Sequence, residues 1–175
     1  MTALITLSHG SRHPQAEPGI RRLTALAGEI AGVDALAAHL EFDEPSLAGA
    51  AALAAERGHD DAIVVPLLFT RAFHARHDVP EALEQARAAT GINLRLAEGL
   101  GTGPEVAAVL AERLAADAPE GAHVALYPAG TSDPGGVAAL AQLGELIAAL
   151  SGRGVTVVPA TGPVDPGAGL IEVAA

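Results

Sequence analysis

The chain of 175 residues contains no cysteine and no tryptophan, and aromatic residues make up only 2% of it. Without thiols, it cannot form disulfides, zinc–thiolate sites, iron–sulfur clusters or a cysteine nucleophile. Hydrophobic residues amount to 50%, so a sizeable core is expected, built from Ala, Val, Leu and Ile. The length fits one domain of ordinary size, or one complete unit and part of a second.

Basic residues are also scarce, with 10 Lys and Arg against 21 Asp and Glu and a net charge of -11. An acidic surface repels nucleic-acid phosphates and anionic lipid, so we expect neither as a partner. No run reaches the roughly 18–20 uninterrupted apolar residues of a membrane span. The segment Met1–Gly10 has the pattern of a strand and not of a signal peptide. We therefore expect a soluble cytoplasmic protein.

Short apolar runs alternate along the chain with longer segments of helical periodicity. Strict alternation with fully apolar strands predicts an α/β fold, in which a parallel sheet has helices on both faces. Ligands of such sheets bind outside the carboxyl ends of the strands. Strands are predicted at 3–7, 35–40, 62–68, 92–96, 124–127 and 155–159, and helices at 20–30, 46–57, 78–90, 104–116 and 137–150.

The sequence repeats weakly at an offset of about 120 residues. The Ser-His-Gly-Ser segment after the first predicted strand falls on Pro-Ala-Gly-Thr after the fifth. His9 and Glu41 fall on Ala129 and Thr161, so the second copy lacks their polar side chains. We predict a complete α/β unit with the active site over residues 1–118 and an incomplete second repeat without metal ligands over 119–175.

Three polar side chains lie at the ends of predicted strands: His9 follows the first, Glu41 ends the second, and His74 follows the third. In a parallel sheet these points share one edge. Two imidazoles and a carboxylate suit Fe²⁺, Co²⁺, Ni²⁺ or Zn²⁺ better than Mg²⁺ or Ca²⁺, and three protein ligands leave coordination positions open. Each residue alone also fits an ordinary turn or capping role, so spacing by itself leaves both interpretations open.

Three motifs resemble the signatures of the sirohydrochlorin chelatase family, the small class II chelatases of the CbiX and SirB kind. They are LSHGSR at residues 7–12, HLEFDEPS at 39–46 and VPLLFTRAFHARHDVP at 65–80. Their order and separations agree with the family. The resemblance covers residues 1 to about 115, and the remainder is similar to the start of the second repeat in longer relatives.

This resemblance implies a flavodoxin-like chelatase fold and a lyase-type enzyme that inserts Co²⁺ or Fe²⁺ into sirohydrochlorin or a closely related precorrin-type tetrapyrrole. Such a reaction serves cobalamin or sirohaem biosynthesis. It also implies that His9, Glu41 and His74 bind the incoming metal and take part in catalysis. The metal is a substrate, Ni²⁺ also fits the donor set, and no organic cofactor is implied.

Sirohydrochlorin carries many carboxylates, so an acidic protein needs local positive charge to bind it. Polar and cationic residues that flank the motifs are the candidates for substrate binding, because arginine pairs strongly with carboxylates. They are Ser11, Arg12, Arg71 and Arg76.

Two other functions stay open from the sequence. The shortened second repeat is compatible with a non-catalytic carrier of metal or tetrapyrrole, or with a structural partner of another tetrapyrrole enzyme. Retention of all three candidate ligands in the first repeat favours the enzyme. If the binding cleft needs a facing lobe, the partial second unit or another subunit must supply it, which leaves a homodimer open.

Overall fold

The computed structural model describes residues 2–69 and 78–161. Within these ranges strands and helices alternate as the sequence predicts, and their ends lie within a few residues of the predicted ones. The elements are β1 (Thr2–Ser8), α1 (Ala16–Ala31), β2 (Ala35–His39), α2 (Leu47–Glu56), β3 (Asp61–Pro66), α3 (Asp78–Thr90), β4 (Asn93–Leu96), α4 (Pro104–Asp117), β5 (Val124–Leu126), α5 (Pro134–Ser151) and β6 (Val155–Val157).

A four-stranded parallel sheet in the order β2-β1-β3-β4 forms the centre of the first compact unit, Met1–Gly101. The predicted parallel sheet is thus confirmed, and β1 lies between β2 and β3. Successive residues of a strand point to opposite faces. On one face the fully buried Ile5 and Leu7 pack with apolar residues of α2 and α3. On the other, the hydroxyls of Thr6 and of Thr24 in α1 share a hydrogen bond of 2.5 Å.

The core of this unit consists of Ala, Val, Leu and Ile, as the composition predicts. Helix α2 contributes small residues, and Ser46 caps its first turn by accepting a hydrogen bond from the Gly49 N–H at 3.3 Å. Burial of each larger aliphatic side chain stabilises the fold by about 1.5–3 kcal/mol. Because its buried residues are mostly small, α2 packs close to the sheet. This packing determines the path of the loop that connects β2 to α2.

Helix α1 packs on the sheet through its small residues and not through its apolar stripe. Thr24 and Gly28 are buried, and a Cβ on Gly28 would lie 2.5 Å from the Cβ of Ala35. Leu26 and Ile30 are exposed by 57% and 79%. The periodicity correctly predicts a helix, but Leu26 and Ile30 of its apolar pattern point away from the sheet.

The second compact unit, Thr102–Ala175, is described as far as residue 161. It holds a two-stranded parallel sheet of β5 and β6 together with α4 and α5. Ala107 of α4 and Leu143 and Ile147 of α5 form its buried core. Because α4 packs on α5, contacts divide the chain after Gly101. The division after residue 118 was predicted from the sequence repeat, which is a different criterion, and stays a prediction.

The sequence repeat is also a repeat of backbone geometry. The N–H of Glu41 donates to the carbonyl of His9 at 2.9 Å, and the N–H of Thr161 donates to Ala129 at 3.1 Å. Helices α1 and α5 both end at a glycine with φ of 67°. The segments β1-α1-β2 and β5-α5-β6 are therefore built alike.

Among the helices that the structure describes, α5 has the length and composition that crossing a membrane requires. Gln142 and Glu145 interrupt its apolar sequence. Its Leu143 and Ile147 are buried in the core of the second unit, which is the usual position of an apolar helix in a globular domain.

Asp34, in the loop before β2, links three segments at the amino-terminal edge of the sheet. Its carboxylate accepts hydrogen bonds of 2.8 and 3.1 Å from Arg57 and one of 3.1 Å from Nε2 of His59. The hydrogen bond from Arg57, with a smaller contribution from His59, lowers the pKa of Asp34 below its usual value although partial burial opposes the shift.

We predict that Asp34→Asn lowers the free energy of unfolding at pH 7 by about 0.5–1 kcal/mol, the range of a partly exposed ion pair. Because the folded pKa lies below the unfolded value of about 3.9, the stabilisation is present above that pH and is lost as pH falls through the folded pKa. Urea unfolding at pH 7 and pH 3 checks this. The exposed Asp60→Asn serves as control, and a difference that persists unchanged at pH 3 would contradict the assignment.

Candidate functional site

The structure brings His9 and Glu41 to the same edge of the sheet. His9 directly follows β1, Glu41 lies just beyond β2, and these two strands are parallel neighbours. The hydrogen bond from the Glu41 N–H to the His9 carbonyl joins their backbones beyond the strands. In sheets of this order the ligand crevice lies beside β1, where the chain turns to opposite sides. His9 therefore lies at the strand end beside this crevice, and Glu41 approaches it from the neighbouring strand β2.

Gly10 allows these two loops to approach each other. Its φ is 89°, and a Cβ at this position would lie 1.7 Å from the carbonyl oxygen of Glu41. Only glycine fits such a contact without displacing the neighbouring backbone. Local sequence therefore determines that His9 and Glu41 stay adjacent.

Asp43 joins the two loops a second time, and sequence reasoning missed it. Its Oδ2 accepts a hydrogen bond from the Ser11 N–H at 2.9 Å. The Ser11 hydroxyl accepts the N–H of His13 at 3.1 Å, which shapes the turn before α1. The signal was present, since Asp43 belongs to the same motif as Glu41, but its partner is 32 residues away in sequence.

Phe42 and Arg12 lie beside His9 on this edge. The guanidinium carbon of Arg12 lies 4.9 Å from the centroid of the Phe42 ring, within the range of a cation–π contact. The rings of His9 and Phe42 have centroids 6.0 Å apart. Arg12, predicted to bind substrate, is thus at the site, and Phe42 is a neighbour that the sequence did not single out.

A buried polar pair ties the two strands together directly below the site. Nδ1 of His39 and Oγ of Ser8 share a hydrogen bond of 2.7 Å, and both residues are buried. Nε2 of His39 is buried without a hydrogen-bond partner in the part of the chain that the structure describes. Since Ser8 precedes His9, this pair fixes the strand end from which the imidazole projects.

Three predicted residues, Arg71, His74 and Arg76, lie outside the described residues. Within residues 2–69 and 78–161, no three His, Cys, Asp or Glu side chains form a group able to hold a metal ion. The described part of the site therefore contains two of the three predicted ligands, and the metal-binding role of all three stays a prediction.

The predicted ligands described at this edge are the imidazole of His9 and the exposed carboxylate of Glu41, while the Asp43 carboxylate accepts the Ser11 N–H. Both can bind a first-row divalent ion, and both can accept protons. In the second unit the equivalent carboxylate is absent, and the Thr161 hydroxyl donates to the Ala129 carbonyl at 2.7 Å. Only the first of the two repeats thus carries these donors.

We predict that Gly10→Ala lowers the free energy of unfolding by about 2–4 kcal/mol, because it adds both backbone strain and a clash with Glu41. Gly130→Ala is the matched control, since φ is also 89° there and its Cβ would lie 2.1 Å from the Thr161 carbonyl. Denaturant unfolding measures both. If Gly10→Ala is as stable as the parent protein, the close approach is not a real constraint.

The sequence model of the CbiX family matches residues 3–117. The sirohydrochlorin cobaltochelatase of Sulfurisphaera tokodaii is 39% identical over 75 residues, which are 43% of this chain and span only 60% of that relative. The sirohydrochlorin cobaltochelatase of Saccharolobus solfataricus is 30% identical over 122 residues, covering 65% of this chain and 94% of the relative.

A solved structure supports the same grouping. SirB from Bacillus subtilis, determined with Fe³⁺, is 26% identical and superposes with a TM-score of 0.68. The superposition covers 93% of this chain and 67% of that structure. The similarity therefore extends beyond the residues that the family model matches.

Proposed function

Because this chain belongs to the CbiX family, we propose that it is a lyase-type chelatase of the cytoplasm that inserts Co²⁺ or Fe²⁺ into sirohydrochlorin or a closely related precorrin-type tetrapyrrole. The observation that carries the proposal is the junction of His9 and Glu41 at one sheet edge. A relative with 39% identity is a sirohydrochlorin cobaltochelatase, and a structural neighbour was solved with iron.

His74 is the proposed third ligand. It follows β3, which pairs with β1 in parallel, and the Leu67 N–H still donates to the Leu7 carbonyl at 2.7 Å. The chain thus leaves β3 at the edge where His9 lies. Two imidazoles and one carboxylate would hold the incoming metal and leave positions open for transfer.

Insertion requires that the metal lose water and that two pyrrole N–H protons leave the macrocycle. In the proposed mechanism His9 and His74 hold the metal, and each imidazole that releases it to the macrocycle becomes free to accept one of the two protons. Glu41 balances the charge of the metal and aids deprotonation. Glu41 is exposed to solvent, so water can replace it as a ligand and the metal can leave the site. A closed site that bound the metal tightly would store it.

Arg12 is the described residue best placed to bind a substrate carboxylate, since its guanidinium lies over the Phe42 ring and that ring neighbours the imidazole of His9. Ser11, Arg71 and Arg76 complete the proposed substrate-binding set. Because the whole chain carries a net charge of -11, the three arginines of this set are needed to attract a polycarboxylate.

The second candidate function is a carrier that binds metal or tetrapyrrole without insertion. The observation that favours it is the second unit, in which Ala129 and Thr161 replace the ligands and the Thr161 hydroxyl donates its hydrogen bond to the Ala129 carbonyl. A carrier would retain sirohydrochlorin binding but would not accelerate metal insertion.

An anaerobic insertion assay separates the two functions. Purified protein is mixed with sirohydrochlorin and either Co²⁺ or Fe²⁺, and the tetrapyrrole absorption is followed against a control without protein. We predict acceleration that falls by about 100-fold in His9→Ala and in Glu41→Gln, the effect of losing a positioned ligand or base. His123→Ala, in the second unit, should retain the parent rate. A rate equal to the control, with tetrapyrrole still bound, would leave only the carrier.

For the quaternary structure, we propose that a second copy covers the exposed face of α1. The equivalent face of α5 is covered by another helix. Leu143, equivalent to Leu23, is buried against α4, whereas Leu23 is 50% exposed. Arg22 and Glu29 flank the centre of the α1 stripe. In an antiparallel pair of α1 helices they would face each other with opposite charge, giving two symmetric ion pairs.

We predict a homodimer that dissociates in Leu26→Glu, because a carboxylate would have to be buried between the two helices. Light scattering during size-exclusion chromatography measures the mass. Leu150→Glu is the control, since Leu150 is 56% exposed against 57% for Leu26. A parent protein that is monomeric at high micromolar concentration would exclude this interface.

A further inference from the structure

Phe42 has an unusual backbone conformation for its side chain. Among the described residues, it alone has a positive φ without being glycine, at 66°. A bulky L residue is disfavoured in this region, which Gly or Asn enters more readily. A strained residue that persists beside a functional edge indicates that its side chain has a use there.

The Phe42 ring is exposed as well as strained. It is 53% accessible to solvent, so it contributes little to the core. It lies next to the imidazole of His9, with an angle of 34° between the two ring planes, and Arg12 is held over it. An aromatic surface and a cation are thus presented together beside the candidate ligands.

The distribution of aromatic residues points the same way. The chain has only three Phe, one Tyr and no Trp. Phe69, just beyond β3 at the same edge of the sheet, is 56% exposed. The described part of the first unit therefore exposes both of its phenylalanine rings at the carboxyl ends of its strands, where they do not serve packing.

We infer that Phe42 is the surface on which the tetrapyrrole macrocycle lies, with Arg12 held in place to pair with one of its peripheral carboxylates. This inference rests on the proposed function and adds the residues that recognise the substrate. A flat conjugated macrocycle gains from an offset aromatic contact, and a guanidinium already fixed by cation–π contact loses little freedom when it binds a carboxylate.

The position beside His9 gives this contact a consequence for the reaction. A macrocycle in contact with Phe42 is near the imidazole, because the two ring centroids are 6.0 Å apart. Phe42 would therefore determine how the central nitrogens are presented to the metal held by His9 and Glu41. It is a residue for substrate binding and orientation and not a proton acceptor.

The test uses Phe42→Gly in the full chain. Glycine relieves the positive φ, so we expect the thermal unfolding midpoint to be unchanged or raised while the affinity for metal-free sirohydrochlorin falls by about three- to tenfold. The separate variant Phe42→Tyr, which keeps an aromatic ring, should retain an affinity within about twofold of the parent. Binding is followed by titration of the tetrapyrrole absorption, so it needs no metal insertion.

Two matched controls accompany it. Tyr127→Leu removes a ring of similar exposure, 55%, from the second unit, and it should leave affinity unchanged. Arg12→Gln should weaken binding and reduce its dependence on salt, whereas Arg113→Gln, a highly exposed arginine of α4, should do neither.

The inference is overturned if Phe42→Gly binds sirohydrochlorin as tightly as the parent, or if affinity and unfolding midpoint fall together. In either case the proposed chelatase function stands as long as the parent protein accelerates insertion. If the parent neither binds the tetrapyrrole nor accelerates insertion, the proposed function fails and this inference fails with it.

Discussion

The site depends on one backbone contact, the hydrogen bond between the Glu41 N–H and the His9 carbonyl. It forms only because Gly10 has no Cβ, since any side-chain carbon there would overlap the Glu41 carbonyl. Asp43 closes the same junction through the Ser11 N–H. An imidazole from one strand end and a carboxylate from the next are therefore held together by the main chain, before any ligand is bound.

The second unit shows that this junction is a property of the fold and does not by itself provide metal-binding side chains. Gly130 and Thr161 reproduce the positive φ and the hydrogen bond of Gly10 and Glu41. Yet the Ala129 side chain cannot bind a metal, and the Thr161 hydroxyl donates to the Ala129 carbonyl. The two repeats share their backbone geometry and differ in the side chains that could bind a metal, so the proposed reaction is assigned to the first unit from its side chains and not from its fold.

Sequence reasoning predicted most of what depends on local pattern. The period and length of the apolar patterns were sufficient to predict every described helix and strand. The rule that the carboxyl ends of parallel strands share one edge of the sheet was sufficient to predict that His9 and Glu41 lie close together. It did not predict that α1 would turn Leu26 and Ile30 to solvent, because periodicity cannot say which side of a helix meets the sheet. It also missed Asp43 and Phe42, whose roles arise from partners about 30 residues away and from a backbone angle that composition does not encode.

X-ray absorption at the cobalt edge, applied to Co²⁺ bound to the protein, decides whether His9 and Glu41 hold the metal. We expect mixed nitrogen and oxygen ligation, with imidazole scattering reduced in His9→Ala and retained in His123→Ala. A coordination sphere that is the same in the parent protein and in His9→Ala would contradict it, because the metal would then bind elsewhere than at the edge shared by His9 and Glu41.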